Sequence, residues 1–270
     1  MGDIFSLIEQ VPRLWRWILA WRFRRVFGRD VGKEYHIIYF IKDVQDREIV
    51  FGSPKSKRER RRYANATNLT CITPCADTRA MGHLVYSFGE NVKLPPTMDS
   101  DVDADERMDI SFVSIGGTGN LKTCDLLEDA SDFRGFEFKG ESILWRTSIL
   151  VTAHDDVDYA LIIKIHPESN PERTWICCAG VGEWGTSGAA WFLARKWKEI
   201  HKWAGNKPFA IITKTQFNSD ESTVMIHRFR NSEDVDKVAR ESTITTTTTT
   251  TTTRTDTKQT TVTAAPGPMQ

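Results

Sequence analysis

A strand, a glycine-rich loop and a helix follow one another in residues 174–203, and this succession constrains the fold more than any other feature of the chain. The short apolar run WICCA at residues 175–179 predicts one buried strand. Residues 189–200 place apolar side chains at helical spacing and therefore predict an amphipathic helix. Three glycines stand between them with the spacing G-x-G-x-x-G: Gly180, Gly182 and Gly185. Such a turn directs backbone N–H groups and the positive end of a helix toward a bound anion.

The same arrangement occurs earlier in the chain. The apolar run ISFVSI at residues 110–115 is followed by the loop GGTGN at residues 116–120 and by a short helical pattern at residues 121–130. Asn120 is the predicted N-cap of that helix. Because the loops of one parallel sheet open on the same edge, we expect the two glycine loops to face a common ligand.

Alternation of apolar strands, glycine loops and helices predicts an α/β fold. We expect a Rossmann-like, mostly parallel sheet with flanking helices in residues 30–230. Residues 1–29 are predicted to form a basic amphipathic helix, and residues 231–270, rich in threonine, a disordered tail. Apolar and β-branched runs predict further strands at residues 35–41, 48–51, 135–139, 142–145, 158–166, 208–215 and 223–229. A helix is expected at residues 77–88, with Asp77 as its N-cap.

Charge and cysteine usage restrict the function. The chain has 36 basic and 36 acidic residues, so it lacks the net charge of a protein that coats nucleic acid, and we expect no nucleic-acid partner. The basic run KSKRERRR at residues 55–62 is more typical of a solvated loop or helix face than of a nuclear-localisation or nucleic-acid-binding patch. Cys71 and Cys75 form a C-x3-C pair without a second pair, so no zinc site is predicted. Five cysteines without a disulfide pattern favour a reducing, intracellular location.

The amphipathic segment of residues 4–21, from Ile4 to Trp21, allows two interpretations. Its tryptophans and arginines have the composition of a helix that binds a membrane interface. Alternatively, it packs on the core of its own domain or on a partner protein. It contains no apolar run near the roughly 20 residues that cross a bilayer.

The predicted site lies in the two glycine loops. We expect it to bind a small phosphate- or nucleotide-type ligand through eight residues: Gly116, Gly117, Thr118, Asn120, Gly182, Gly185, Thr186 and Ser187. Glu183, beside the large ring of Trp184, is the candidate catalytic acid or base. No acidic residue stands about 20 residues after Gly185, where a dinucleotide-binding fold places one, so the sequence names no cofactor.

Three functions are therefore open at this point. The protein is a ligand-binding or sensing module, a hydrolase of nucleotides or of the glycosidic bond of NAD that uses Glu183, or a non-catalytic structural or interaction protein that docks through its N-terminal helix. In the last case the glycines serve only tight turns and close helix–strand packing.

The two loops also resemble a module of uncharacterised prokaryotic proteins, and of some surface-layer proteins, that pairs a GGP-x-x-N-x-x-T loop with a G-x-x-x-x-GT-x-AA loop. The residues that match are Gly116, Gly117, Asn120, Thr123, Gly180, Gly185, Thr186, Ala189 and Ala190, and the likeness covers about residues 110–229. Thr118 stands where the pattern has proline. The resemblance implies a Rossmann-like α/β domain without an established activity.

Overall fold

A computed structural model describes residues 2–43, 71–72 and 74–253, with side chains for residues 14–41 and 74–242. The strand predicted at residues 48–51 and the basic run at residues 55–62 lie outside the described residues. Five helices are present in the described part: α1 (Gly2–Phe27), α2 (Cys75–Asn91), α3 (Leu121–Asp129), α4 (Glu183–Ala204) and α5 (Ser232–Thr253).

The strands of the described part form three sheets. The central sheet has seven strands: β1 (Tyr35–Tyr39), β4 (Thr97–Ser100), β5 (Ser111–Ile115), β9 (Val157–Ile165), β10 (Trp175–Gly180), β11 (Phe209–Gln216) and β12 (Ser219–Phe229). A second sheet pairs β2 (Lys42–Asp43) with β3 (Cys71–Ile72). A three-stranded meander consists of β6 (Phe136–Lys139), β7 (Ser142–Trp145) and β8 (Ser148–Thr152).

The central sheet is mixed, with the order β12-β11-β9-β10-β5-β1-β4. The pairs β4–β1, β1–β5 and β5–β10 are parallel, whereas β10–β9, β9–β11 and β11–β12 are antiparallel. Five strands therefore run in one direction, and β9 and β12 run in the other. The prediction of a largely parallel sheet is confirmed in this sense, although half of the neighbouring pairs are antiparallel.

Helices and the meander cover the two faces of the sheet. Successive residues of β10 alternate between two apolar cores: Ile176 and Cys178 face the layer of α1, α2 and α4, whereas Trp175 and Cys177 face the opposite layer. The opposite layer is built from α3, the meander and α5. The alternation follows from the two-residue period of a strand, and it explains why β10 is apolar throughout.

Helix α4 lies against the sheet along its whole apolar stripe, as its sequence predicts. Ala189, Leu193, Trp197 and Ile200 are buried in the core beneath it. Gly188 permits the closest approach, because a Cβ atom there would overlap the hydroxyl groups of Thr215 and Thr223. The helix ends at Gly205, which has a φ of +62° and so adopts the backbone conformation that glycine favours.

The predicted disorder from residue 231 is wrong for the beginning of the tail. Helix α5 begins at Ser232, and its side chains Val235 and Ala239 are buried against the meander layer. The indole nitrogen of Trp145 also donates a hydrogen bond to Asp236 at 2.5 Å. The threonine run dominates the composition and hides the short apolar stripe before it. Residues 254–270 lie outside the described part of the chain.

Candidate functional site at the carboxyl edge of the sheet

The two predicted glycine loops meet at the edge where the parallel strands end. The amide of Gly116, directly after β5, donates to the carbonyl of Cys178 in β10 at 3.0 Å. A Cβ atom at Gly117 would lie 3.5 Å from the carbonyl oxygen of Gly180. The loops are therefore neighbours, as the parallel pairing of β5 and β10 requires.

The first loop is tied to the sheet by its own side chains. Gly116 has a φ of +102°, which only glycine adopts without strain. Asn120 is fully buried, and its amide group donates to the carbonyls of Ile38 at 3.2 Å and Ile115 at 2.8 Å. Its carbonyl oxygen accepts from the amides of Lys122 and Thr123 and caps α3, as predicted. Thr118 is exposed.

A carboxylate at the end of β4, two strands away from β5, completes the N-terminus of α3. Asp101, directly after β4, is fully buried. Its Oδ2 accepts from the amide of Leu121 at 3.1 Å, and its Oδ1 accepts from the amide of Ile41 at 3.3 Å. The first amides of α3 therefore face oxygen atoms of Asp101 and Asn120.

The second loop encloses a carboxylate in the same way. Asp158, at the start of β9, is buried, and its Oδ2 accepts from the amide of Gly185 at 2.6 Å. Its Oδ1 accepts from the amides of Gly182 at 3.0 Å and of Tyr159 at 2.8 Å. An anionic oxygen at a helix N-terminus is the ligand that the sequence pattern predicts, and here the chain supplies it from its own strand.

The glycine spacing of this loop serves close packing. A Cβ atom at Gly185 would overlap the carbonyl of Tyr159, and one at Gly182 would approach Asp158 to 2.7 Å. At Gly180 a Cβ atom would overlap the amide of Thr186. Gly182 and Gly185 are thus required for the approach of the loop to β9 and for access of Asp158 to the amides, and Gly180 is required for the close contact of the loop with Thr186.

Thr186 and Ser187, both predicted ligand contacts, are buried and bonded within the chain. The Thr186 hydroxyl donates to the carbonyl of Gly182 at 3.1 Å and accepts from the amide of Gly180 at 3.1 Å. The Ser187 hydroxyl donates to Oδ1 of Asp220 at 2.5 Å. These hydroxyl groups hold α4 in place.

Asp220 is the centre of an ionic cluster that the sequence does not reveal. Its Oδ2 lies 3.0 Å from Nε2 of His83 and 3.5 Å from Nε of Arg79. The bonds from His83 and Ser187 and the positive charge of Arg79 outweigh burial and lower the pKa of Asp220. The Arg79 guanidinium also lies over the ring of Trp184, 4.0 Å from its centroid. The cluster clamps α2 to α4 and β12.

Asp77 is the second group that sequence reasoning missed as a site residue. Helix α2 begins at Cys75 with Pro74 as its N-cap, so Asp77 lies in the first turn and the predicted N-cap role is wrong. The carboxyl group is buried, accepts from the amide of Phe40 at 3.2 Å, and lies 3.8 Å from where a Cβ atom of Gly116 would stand. It therefore lies beside the first glycine loop.

The pKa of Asp77 is raised from 3.8 to about 7. Burial is the largest cause, since it removes water from the charged form, and the negative charges of Asp101 and Glu183 act in the same direction. The hydrogen bond from Phe40 opposes them. No salt bridge to Asp77 is present among the described residues. Asp77 therefore exchanges a proton near neutral pH.

Glu183, the predicted catalytic residue, is exposed at the first position of α4. Its charge reaches Asp77, so a buried protonable carboxyl group and an exposed one share this edge. Within the described residues, no group of three or more histidine, cysteine or acidic side chains is arranged to hold a metal ion.

No family model, curated protein or solved structure matches this chain. The resemblance to the prokaryotic two-loop module therefore stays a prediction, and functional inference depends on the geometry of this edge. This edge of the sheet is acidic, because four carboxyl groups are buried along it: those of Asp77, Asp101, Asp158 and Asp220. The structure brings all eight predicted ligand-binding residues to the same edge but engages the side chains of three of them, Asn120, Thr186 and Ser187, in internal bonds.

Proposed function

We propose that the protein is a small-ligand-binding or sensing module whose ligand lies at the carboxyl edge, between the two glycine loops and against Asp77. The observation that carries the proposal is Asp77 itself. A buried carboxyl group with a pKa of about 7 is costly to keep in a fold, because its ionised form lacks water. Acidic groups with strongly shifted pKa values are concentrated at functional sites.

The ligand class follows from the charges at the edge. The N-termini of α3 and α4 already face oxygen atoms of Asp101 and Asp158, which repel a phosphate group. A ligand that donates hydrogen bonds, such as a nucleoside with its ribose hydroxyls, suits an acidic edge better. We therefore narrow the phosphate- or nucleotide-type ligand expected from the sequence to one whose neutral hydroxyl or amine groups contact Asp77.

A panel of matched compounds tests the proposal. The melting temperature of the full chain is measured with the four common ribonucleosides and with their 5′-monophosphates. A ligand present at about 100 times its Kd raises the free energy of unfolding of the protein by about 2.7 kcal/mol. We expect stabilisation by at least one nucleoside in the wild type and none in Asp77→Asn, which retains an acceptor for the Phe40 amide.

Asp132→Asn, at an exposed position, is the matched control and should respond like the wild type. Stabilisation by the monophosphates alone would indicate a phosphate site and contradict the narrowed ligand class. If no compound in the panel raises the melting temperature, the binding proposal is contradicted. The remaining alternative is then a non-catalytic interaction protein.

A second candidate function is hydrolysis of an N-glycosidic bond in a nucleoside, a nucleotide or NAD. The coupling of Asp77 to Glu183 favours it, because one carboxyl group that protonates near neutrality and one that stays exposed suit acid–base chemistry. Release of the free base from a stabilising nucleoside would support it. Glu183→Gln should then stop the release while binding is retained; release at the wild-type rate by this variant would exclude the role of Glu183.

A further inference from the structure

Helix α1 exposes a band of large apolar side chains that the rest of the described chain does not cover. Four of them have exposed fractions of 45–63%: Leu14, Trp15, Trp17 and Trp21. Burial of aromatic rings is among the strongest contributions to association. Three tryptophans exposed within seven residues are therefore unusual for a surface that meets only water.

The same helix is firmly anchored at its other end. Phe23, Val26 and Phe27 are fully buried in the core layer of α2 and α4. The ring of Phe23 stacks on Phe27 at 4.3 Å and meets Trp197 edge-on at 5.2 Å. A buried lysine, Lys164, donates to the carbonyl of Arg25 at 2.9 Å and so holds the last turn. The interpretation that the helix packs on the core of its own domain therefore applies to this end of α1.

Most of the exposed band lies on the side of the helix opposite the buried band. With about 100° between successive residues, Leu14, Trp17 and Trp21 fall within about 60° of one another and opposite Phe23, whereas Trp15 lies on the flank of the helix. The last two turns thus fix α1 to the domain, while the preceding turns direct an apolar stripe outward. A helix that only packs on the core of its own domain requires one apolar stripe. The second, outward stripe therefore indicates a second contact.

The charge around this stripe indicates the partner. Residues 10–29 contain six arginines and no acidic residue. The side chains of Arg16, Arg22, Arg24 and Arg25 are exposed. A second copy of this helix would bring like charges together, which disfavours self-association. Tryptophan beside arginine is the composition of helices that lie in the headgroup region of anionic bilayers.

We propose that the segment from Leu14 to Trp21 docks the protein on an anionic membrane surface, with the exposed stripe in the headgroup region. Helix α1 lies parallel to the bilayer and the α/β domain stays in water. The inference does not depend on the ligand site. No helix in the described residues is long and apolar enough to cross a membrane, so the docking is peripheral at this segment.

Vesicle flotation of the full chain tests the proposal. The probes are vesicles of phosphatidylcholine alone and of phosphatidylcholine mixed with phosphatidylserine. We expect binding to the mixed vesicles that weakens as salt rises, and far weaker binding to phosphatidylcholine. Replacement of Trp15, Trp17 and Trp21 by serine should weaken binding by about tenfold or more, because the apolar contact is lost.

Two further variants separate apolar contact, charge and folding. Arg16→Glu with Arg22→Glu should weaken binding to mixed vesicles by about tenfold or more. Ile149→Ser with Val224→Ser removes exposed apolar side chains elsewhere and should bind like the wild type. Unchanged melting temperatures exclude unfolding, since the replaced side chains are exposed.

Absence of binding to mixed vesicles would overturn the proposal, as would equal binding by the tryptophan variant. A dimer in sedimentation that the tryptophan variant abolishes would also overturn it, because the stripe would then be covered by a second copy.

Discussion

Oδ2 of Asp158 lies 2.6 Å from the amide nitrogen of Gly185. The carboxylate therefore occupies the position that an external anion takes in a glycine-rich loop, and it comes from a strand antiparallel to the one that the loop follows. The loop thus resembles a phosphate cradle in sequence while it serves as a cap in the fold. The proposed ligand therefore contacts this acidic edge through groups that donate hydrogen bonds.

We expect Asp158→Asn to lower the free energy of unfolding by about 1–3 kcal/mol, because one amide then faces a group that cannot accept its hydrogen bond. Urea unfolding measures the loss. Asp155→Asn, at an exposed position nearby, is the control and should change little. Equal stability of the two variants would show that the cap contributes nothing.

Asp77 should make stability depend on pH. Its folded pKa of about 7 exceeds the ordinary value of 3.8, so the folded state holds a proton that the unfolded state releases. The free energy of unfolding should therefore fall as pH rises from about 4 to 7, by up to about 4 kcal/mol, and stay level above that range. Urea unfolding of wild type and Asp77→Asn across this range measures the difference. A constant difference would contradict the raised pKa.

Lys164 should make stability depend on pH in the opposite direction. Burial, followed by the charge of Arg25, lowers its pKa from 10.5 to about 7. Between about pH 7 and 10 the unfolded state binds the proton that the folded state lacks, so stability should rise with pH in this window. Comparison of Lys164→Met with the wild type at both ends of the window tests this. The stability of the wild type should increase relative to the variant, on the order of 1–4 kcal/mol; a parallel course of the two curves would contradict it.

Truncation should locate the end of the folded part. A chain that stops after Asn231 loses Val235 and Ala239 from the core and exposes Trp145, whose indole nitrogen bonds to Asp236 of the same helix. We expect it to be less stable by about 2 kcal/mol or more, since one buried valine alone contributes about 1.5 kcal/mol or more. A chain that stops after Thr253 should unfold like the full chain. If the chain that stops after Asn231 is as stable as the full chain, the folded domain ends near residue 230, as the sequence predicts.

The two strand–loop–helix units could be predicted because their signals are local. The apolar run of β10, the glycines and the stripe of α4 are contiguous in the chain. Their proximity followed from the rule that parallel strands end at one edge. The start of the tail cannot be predicted for a similar local reason, since only a few apolar residues precede a long threonine run.

The electrostatics of the site could not be predicted, because they come from long-range pairing. Asp158 reaches the glycine amides only because β9 returns antiparallel beside β10. Asp220 reaches Ser187 and His83 only because β12 closes the other end of the sheet. No residue pattern marks Asp77 as buried, since its burial depends on the packing of α2 over the first loop. Residue spacing alone therefore predicts the edge of the sheet at which the two loops meet. It predicts the wrong role for Asp77, which is not the N-cap of α2.

The most direct measurement of the proposed ligand site is the affinity for adenosine as a function of pH, by titration calorimetry on wild type and Asp77→Asn. If ribose hydroxyls donate to the ionised carboxylate of Asp77, the Kd should decrease by about tenfold between about pH 6 and pH 8, since the ionised fraction increases by that factor around a pKa of about 7. Asp77→Asn should bind weakly at every pH. Tight binding that is independent of pH, or an equal pH dependence in the variant, would contradict the assignment of Asp77 as the centre of the site.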